Sequence, residues 1–160
     1  MIALDTLDLK TWMGTSVKEV FETMLSMDLT PADAGSGLAG DGNRIVGSVG
    51  FAGEVMGNVN LHVTAEFAAL AAANMLGMEP GEVDNDEEVH DVIGEISNMI
   101  GGSMKSSLCD AGYPCELSIP SITCGKDFSI ESKGWAIREE AVFAFADHTV
   151  FVEMFVKLVR

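Results

Sequence analysis

The strongest constraint in this sequence is an unbroken helical pattern that runs from about Asn85 to Ala111. Asp84 or Asn85 can cap its start, acidic residues fill its first turn, and Gly112 with Pro114 ends it. At about 100° per residue, Val89, Val92, Ile93, Ile96, Ile100 and Ser103 gather into one stripe, bordered by Met104 and Ser107. The opposite face carries Glu87, Asp91, Gly94, Glu95, Asn98, Gly102 and Lys105. A helix with one apolar stripe must lay that stripe against a wall supplied by the rest of the chain.

Strands supply the wall. Arg44–Ala52 and Val55–Thr64 read as a hairpin with a tight turn near Gly53-Glu54; in the second arm Val55, Gly57, Val59, Leu61 and Val63 alternate with Met56, Asn58, Asn60 and His62. Beyond Cys115 the pattern predicts strands at Glu116–Ile119, Phe128–Glu131, Trp135–Phe145 and Val150–Val159. Two further helices precede the long one. Leu9 to Met27 carries Val17, Val20, Phe21, Met24 and Leu25 at helical spacing, with Ser16 and Glu19 as a possible capping pair, and Pro31 breaks the pattern. The Ala-rich Glu66–Leu76 ends at Gly77. This order predicts an α/β (α+β) sandwich: an antiparallel or mixed β-sheet packed with about three helices, in one domain spanning residues 1–160.

Charge excludes partners better than it names one. With 9 basic against 25 acidic residues and a formal net charge of −16, the surface repels phosphate backbones and anionic membranes, so neither is expected as a partner. No apolar run reaches the roughly 18 residues a membrane span needs, and the N-terminus lacks the basic region of a signal peptide. The 3 cysteines, Cys109, Cys115 and Cys124, contain no CxxC and are expected as reduced thiols in a cytoplasmic protein.

Chemistry is concentrated on the polar face of the long helix. Glu95 and Asn98 are i and i+3, hence neighbours. The carboxylate can accept an ion pair while the amide hydrogen-bonds a water or carbonyl. Gly94 and Gly102 flank them, although each glycine in an exposed helix costs about 1 kcal/mol relative to alanine; the pair suggests a surface kept low for close approach. Spacing alone leaves a solvated acidic face as the competing reading.

The string Asp91-x3-Glu95-x2-Asn98, followed by Gly101-Gly102 and Ser118-Ile119-Pro120, resembles the signature of the CheC/CheX/FliY phosphatases of bacterial chemotaxis. Gly50-Phe51-Ala52-Gly53 with Gly57-x-Val59, Ala72-Ala73-Asn74-Met75-Leu76-Gly77, Asp86-Glu87-Glu88-Val89 and Lys105-x2-Leu108-x3-Gly112 extend the likeness, toward CheX in particular, over roughly residues 43–132. The resemblance implies hydrolysis of the phospho-aspartate of a CheY-like receiver domain in chemotaxis or another two-component pathway. Asn98 would orient the attacking water and Glu95 would pair with the receiver's active-site lysine. Asp91, Gly94, Gly102 and Lys105 would help dock the partner. No cofactor is expected on this chain; magnesium would be held by the receiver. Pro120 stands one residue closer to the Asn than the family pattern often has it. The first helix carries Glu22 but Leu25 where a second Asn would stand, so one active site per chain is implied, together with a homodimer joined through its sheets. A non-enzymatic adaptor of the same fold, binding a receiver or a flagellar switch protein, is the alternative.

Other residues carry weaker signals. Gly35-x-Gly37-x2-Gly40 matches a dinucleotide fingerprint but lacks the preceding strand and following helix, and reads as a loop. His90 does not converge with Asp91 or Glu95 on a helix, so no metal site is expected. His62 and His148 read as surface or strand positions, Ser97 and Ser103 as packing or surface positions, and Met99 as a border residue in reach of a partner. Trp12, Trp135 and Tyr113 read as packing residues, as do most of the 10 methionines.

Overall fold

The structure, a computed structural model, describes residues 3–33, 42–126, 128–131, 133–134 and 137–159. Its helices are α1 (Leu9–Leu25), α2 (Ala65–Leu76) and α3 (Asp86–Asp110), with single 3-10 turns at Leu4–Thr6 and Pro80–Glu82. Its strands are β1 (Thr30–Ala32), β2 (Arg44–Gly53), β3 (Val55–Thr64), β4 (Cys115–Leu117), β5 (Ser121–Gly125), β6 (Ile137–Phe145) and β7 (His148–Leu158). They form one 7-stranded sheet in the order β1-β6-β7-β3-β2-β4, with β5 also on β2. Every pairing is antiparallel. β4 and β5 share one side of β2: β4 pairs with Phe51–Gly53 and β5 with Arg44–Ser48.

The expected sandwich is therefore present, with the sheet wholly antiparallel. Ile45 and Phe51 of β2, Val55, Val59, Leu61 and Val63 of β3, and Val150, Val152, Met154 and Val156 of β7 form the apolar wall. Against it pack Met13, Val17 and Phe21 of α1, Phe67, Ala68 and Ala71 of α2, and Ile93, Ile96 and Ile100 of α3, each at most 1% exposed. Burying a side chain of this size contributes about 1.5–3 kcal/mol. Among the described residues, no helix is long and apolar enough to cross a membrane.

Glycine lets α3 sit close against β2. A Cβ at Gly47 would run into Ser97 Oγ and come within 3.1 Å of Ile93 Cγ2, while a Cβ at Gly101 would meet Val49 Cγ1 at 3.0 Å. Ser97 cannot swing away without cost, because its hydroxyl donates to Ile93 O at 2.8 Å. α3 is tied to α1 as well: Ser16 Oγ and Ser103 Oγ are 2.7 Å apart.

The opposite face of the sheet holds a buried polar cluster. The Glu153 carboxylate of β7 lies 2.9 Å from His62 Nε2 and accepts from Asn60 Nδ2 at 3.2 Å and Arg138 Nη2 at 3.2 Å. Burial pushes the carboxyl up, but the His62, Asn60 and Arg138 interactions outweigh it and hold Glu153 below the ordinary carboxylate range. Phe128 lies over this face: its carbonyl accepts from Arg44, whose guanidinium stacks 4.4 Å from the Phe128 ring centroid.

Several sequence expectations need correction. Ser16 does not cap α1; Asp8 does, accepting from Thr11 N at 3.2 Å, because the apolar spacing continues back through Met13 to Leu9. Phe128–Glu131 is not a strand. Its alternation reflects a segment covering the outer sheet face, whereas the strand beside β2 is Ser121–Gly125. β4 begins at Cys115 and ends at Leu117, two residues short of Ile119. β1 was not expected, since Pro31 argues against a strand; it is tolerated at the sheet edge, where one side of the strand needs no ladder. His62 is in a strand as expected, but at 6% exposure it is interior, not surface. Ser97, read as a packing or surface position, does pack, buried in the β2 contact. The Gly35–Gly40 fingerprint and Trp135 lie outside the described residues. Burial and the neighbouring Cys109 push the Cys115 thiol up to about 11.

Two predictions follow from this packing. Gly47→Ala overpacks the α3–β2 contact and lowers stability by about 1–3 kcal/mol, read as the urea midpoint; adding Ser97→Ala, which removes the hydroxyl in the way, recovers part of the loss. Glu153→Gln costs about 1–3 kcal/mol at neutral pH by weakening a charge-assisted network. Because the folded carboxyl titrates below its ordinary value of 4.5, its contribution is complete above that pH and fades as pH falls through the folded value. The stability gap between wild type and Glu153→Gln therefore narrows on acidification below 4.5, measured by urea titrations across pH.

Candidate active site on α3

The start of α3 is fixed by Asn85, whose Oδ1 accepts from Glu87 N at 2.8 Å. Asp86, Glu87 and Glu88 lie in the first turn, where the helix dipole favours negative charge. The α3–β2 contact then fixes the rotation of the helix about its axis, and rotation decides which residues meet solvent.

At about 100° per residue, His90, Gly94, Gly101 and Lys105 fall along one stripe and Asp91, Glu95, Asn98 and Gly102 along the next. The first stripe is covered by the segment from β4 to β5. Lys105 Nζ pairs with Glu116 Oε2 at 3.2 Å. A Cβ at Gly101 would meet Leu117 Cδ2 at 3.5 Å. A Cβ at Gly94 would touch Pro120 Cβ and Cγ at 3.7 Å and Ile122 Cδ1 at 3.9 Å. His90 Nε2 lies 3.3 Å from Cys124 Sγ.

The second stripe is open. Asp91 and Glu95 are exposed and Asn98 is half-buried. Among the described residues, neither the Glu95 carboxylate nor the Asn98 amide has a hydrogen-bond or ion-pair partner in the chain. Two polar groups about 60° apart on one rigid helix, both uncommitted, can accept a cation and hold a water at a fixed separation.

The docking candidates divide between the stripes. Asp91 stands beside Glu95 in the open, and Gly102 is half-buried at the edge. Gly94, expected on a face left low for a visitor, is buried; what approaches it closely is the chain's own Pro120 and Ile122. Lys105 is engaged by Glu116, in an exposed pair of the kind worth about 0–1 kcal/mol. The His90–Cys124 contact escaped the sequence reading, because nothing in a linear pattern joins residues 34 apart on different elements. The His62–Glu153 cluster was missed too, although a glutamate inside the apolar run Val150–Val156 was a usable signal.

The family model described as "Chemotaxis phosphatase CheX" matches residues 45–144. No curated protein gives a significant match. Among solved structures, chemotaxis protein CheX from Vibrio vulnificus aligns with a TM-score of 0.79 at 25% identity, covering 94% of this chain and 97% of that one. A chemotactic CheC-like protein from Shewanella oneidensis aligns with a TM-score of 0.73 at 29% identity, covering 92% and 96%. The CheX–CheY–BeF3–Mg complex from Borrelia burgdorferi aligns with a TM-score of 0.71 at 23% identity, covering 94% and 98%, a likeness of fold. The matched region takes in the hairpin, the whole of α3 and the segment that flanks it, and on that ground the chain belongs to the CheX family of chemotaxis phosphatases.

Proposed function

We propose that this protein hydrolyses the phospho-aspartate of a CheY-like receiver domain. The observation that carries the reading is the outward-facing Glu95/Asn98 pair of α3, unclaimed by any of the described residues, within a member of the CheX family. The Borrelia burgdorferi relative, a CheX in complex with CheY, adds support for the kind of partner.

In this reading the amide carbonyl of Asn98 accepts a hydrogen bond from a water and holds it in line with the phosphorus. Water oxygen attacks, the bond from phosphorus to the receiver's aspartyl oxygen breaks, and phosphate leaves with the carboxylate restored. Glu95 pairs with the receiver's active-site lysine and so sets the depth and angle at which Asn98 enters. Magnesium belongs to the receiver. No covalent intermediate on this chain is required, and positioning supplies the rate, as phosphoryl transfer allows. Asp91 and Gly102 border the pair and form the contact surface around it. The resemblance also carries a homodimer through sheet edges. β7 is central in the sheet and cannot serve as the edge, whereas β1 covers only Val142–Ala144 of β6, making Ile137–Ala141 the candidate.

The test is loss of phosphate from a phosphorylated receiver with magnesium present. Wild type accelerates it. Asn98→Ala lowers the rate about a hundredfold with an unchanged melting temperature, and Glu95→Ala weakens both binding and turnover. Full turnover by Asn98→Ala removes the assigned role; binding without acceleration by wild type makes the protein an adaptor.

A further inference from the structure

A single exposed isoleucine needs no explanation on most surfaces. Ile119 differs in where it stands and in how firmly it is held. It is 86% exposed, while the other exposed large apolar residues among those described, Met24, Met56, Leu76 and Val159, lie between 40% and 46%. It occupies the turn between β4 and β5, and both sides of that turn are pinned. Ser118 N donates to Gly50 O at 2.9 Å. Gly50 N donates to Ser118 Oγ at 2.8 Å, and that hydroxyl donates in turn to Ile119 O at 3.1 Å. On the far side Pro120 rests against Gly94, and Ser121 enters the ladder opposite Ser48.

The same contacts set its level along α3. Leu117 packs at Gly101 and Gly102, and Pro120 packs at Gly94. The turn therefore crosses the helix between those positions, at the height of Asn98. An apolar tip on a mobile loop loses backbone entropy when a partner orders it, whereas one on a backbone already pinned loses less. A few well-packed residues near the centre of an interface carry most of its binding energy.

From this the geometry points to Ile119 as a docking anchor: a preformed apolar knob that inserts against the rim of the receiver's phosphorylation site and seats it over Asn98. It touches the partner's surface and not the reacting atoms, so it is a positioning residue. The inference rests on the receiver reading above, and supplies the apolar contact that the acidic α3 surface lacks.

The experiment uses the full chain. Affinity for a fluoroberyllate-loaded receiver and turnover of the phosphorylated receiver are measured for wild type, Ile119→Asp and Ile119→Leu, with thermal melts alongside. The expected result is a rise in Kd and KM of about tenfold or more for Ile119→Asp, kcat within about twofold of wild type, an unchanged melting temperature, and near-wild-type values for Ile119→Leu. Unchanged Kd and KM in Ile119→Asp overturn the anchor while leaving the phosphatase reading intact. A loss confined to kcat also overturns it. If wild type binds the receiver without hydrolysing it, the phosphatase reading fails and the Kd comparison alone decides the anchor. If wild type does neither, both fall.

Discussion

The contact on which the rest depends is the close seat of α3 on β2. Gly47 and Gly101 carry no side chain where the helix and strand meet, so Ser97 and Val49 fill the space that Cβ atoms would take. This sets the height of the helix over the sheet and its rotation. A turn of one residue's worth, about 100°, would carry Asn98 and Glu95 away from their present aspect and bring other side chains into it. The orientation of the polar pair is thus determined by atoms outside it, on the face of the helix turned to the sheet.

The two faces of the sheet do different work. The helical side is apolar and supplies most of the burial. The other side keeps a carboxylate in the interior, with an imidazole, an amide and a guanidinium arranged around Glu153. Breaking such an arrangement at one member leaves the others without partners, so it favours one strand register over its neighbours: shifting β7 against β3 by a single residue would turn Glu153 away from His62 and toward the apolar wall. α3 meanwhile is held on two flanks, by β2 beneath and by the β4–β5 segment alongside, through Glu116, Leu117, Pro120 and Cys124.

Much of this was legible in the sequence, and the reasons are local. α3, α2 and the β2–β3 hairpin are long periodic segments with clear stops, and their bounds agree with the pattern to within a residue or two. Glu95 and Asn98 were legible because a single helix sets their separation, whatever it packs against. What could not be read depends on contacts between distant segments. The exposure pattern of α3 cannot show that Gly94 is roofed by Pro120, because glycine gives the same signal whether the visitor is a partner or the chain itself. Phe128 and Ile130 alternate like a strand while serving as a cover. Ser16 looks like a cap in isolation and is a mid-helix hydroxyl facing Ser103. In each case the residue type was right and its neighbour was the missing fact.

The division of one flank of β2 between β4 and β5 has a consequence for solubility at high concentration. A long straight border of unpaired amides and carbonyls is a template on which other chains can stack. Here that border is occupied by two short segments, interrupted by a proline-containing corner at Ser118–Pro120 and weighted with serine and threonine, so it presents no extended ribbon to a neighbour. The arrangement that frames α3 also discourages fibrillar self-association along that side of the molecule.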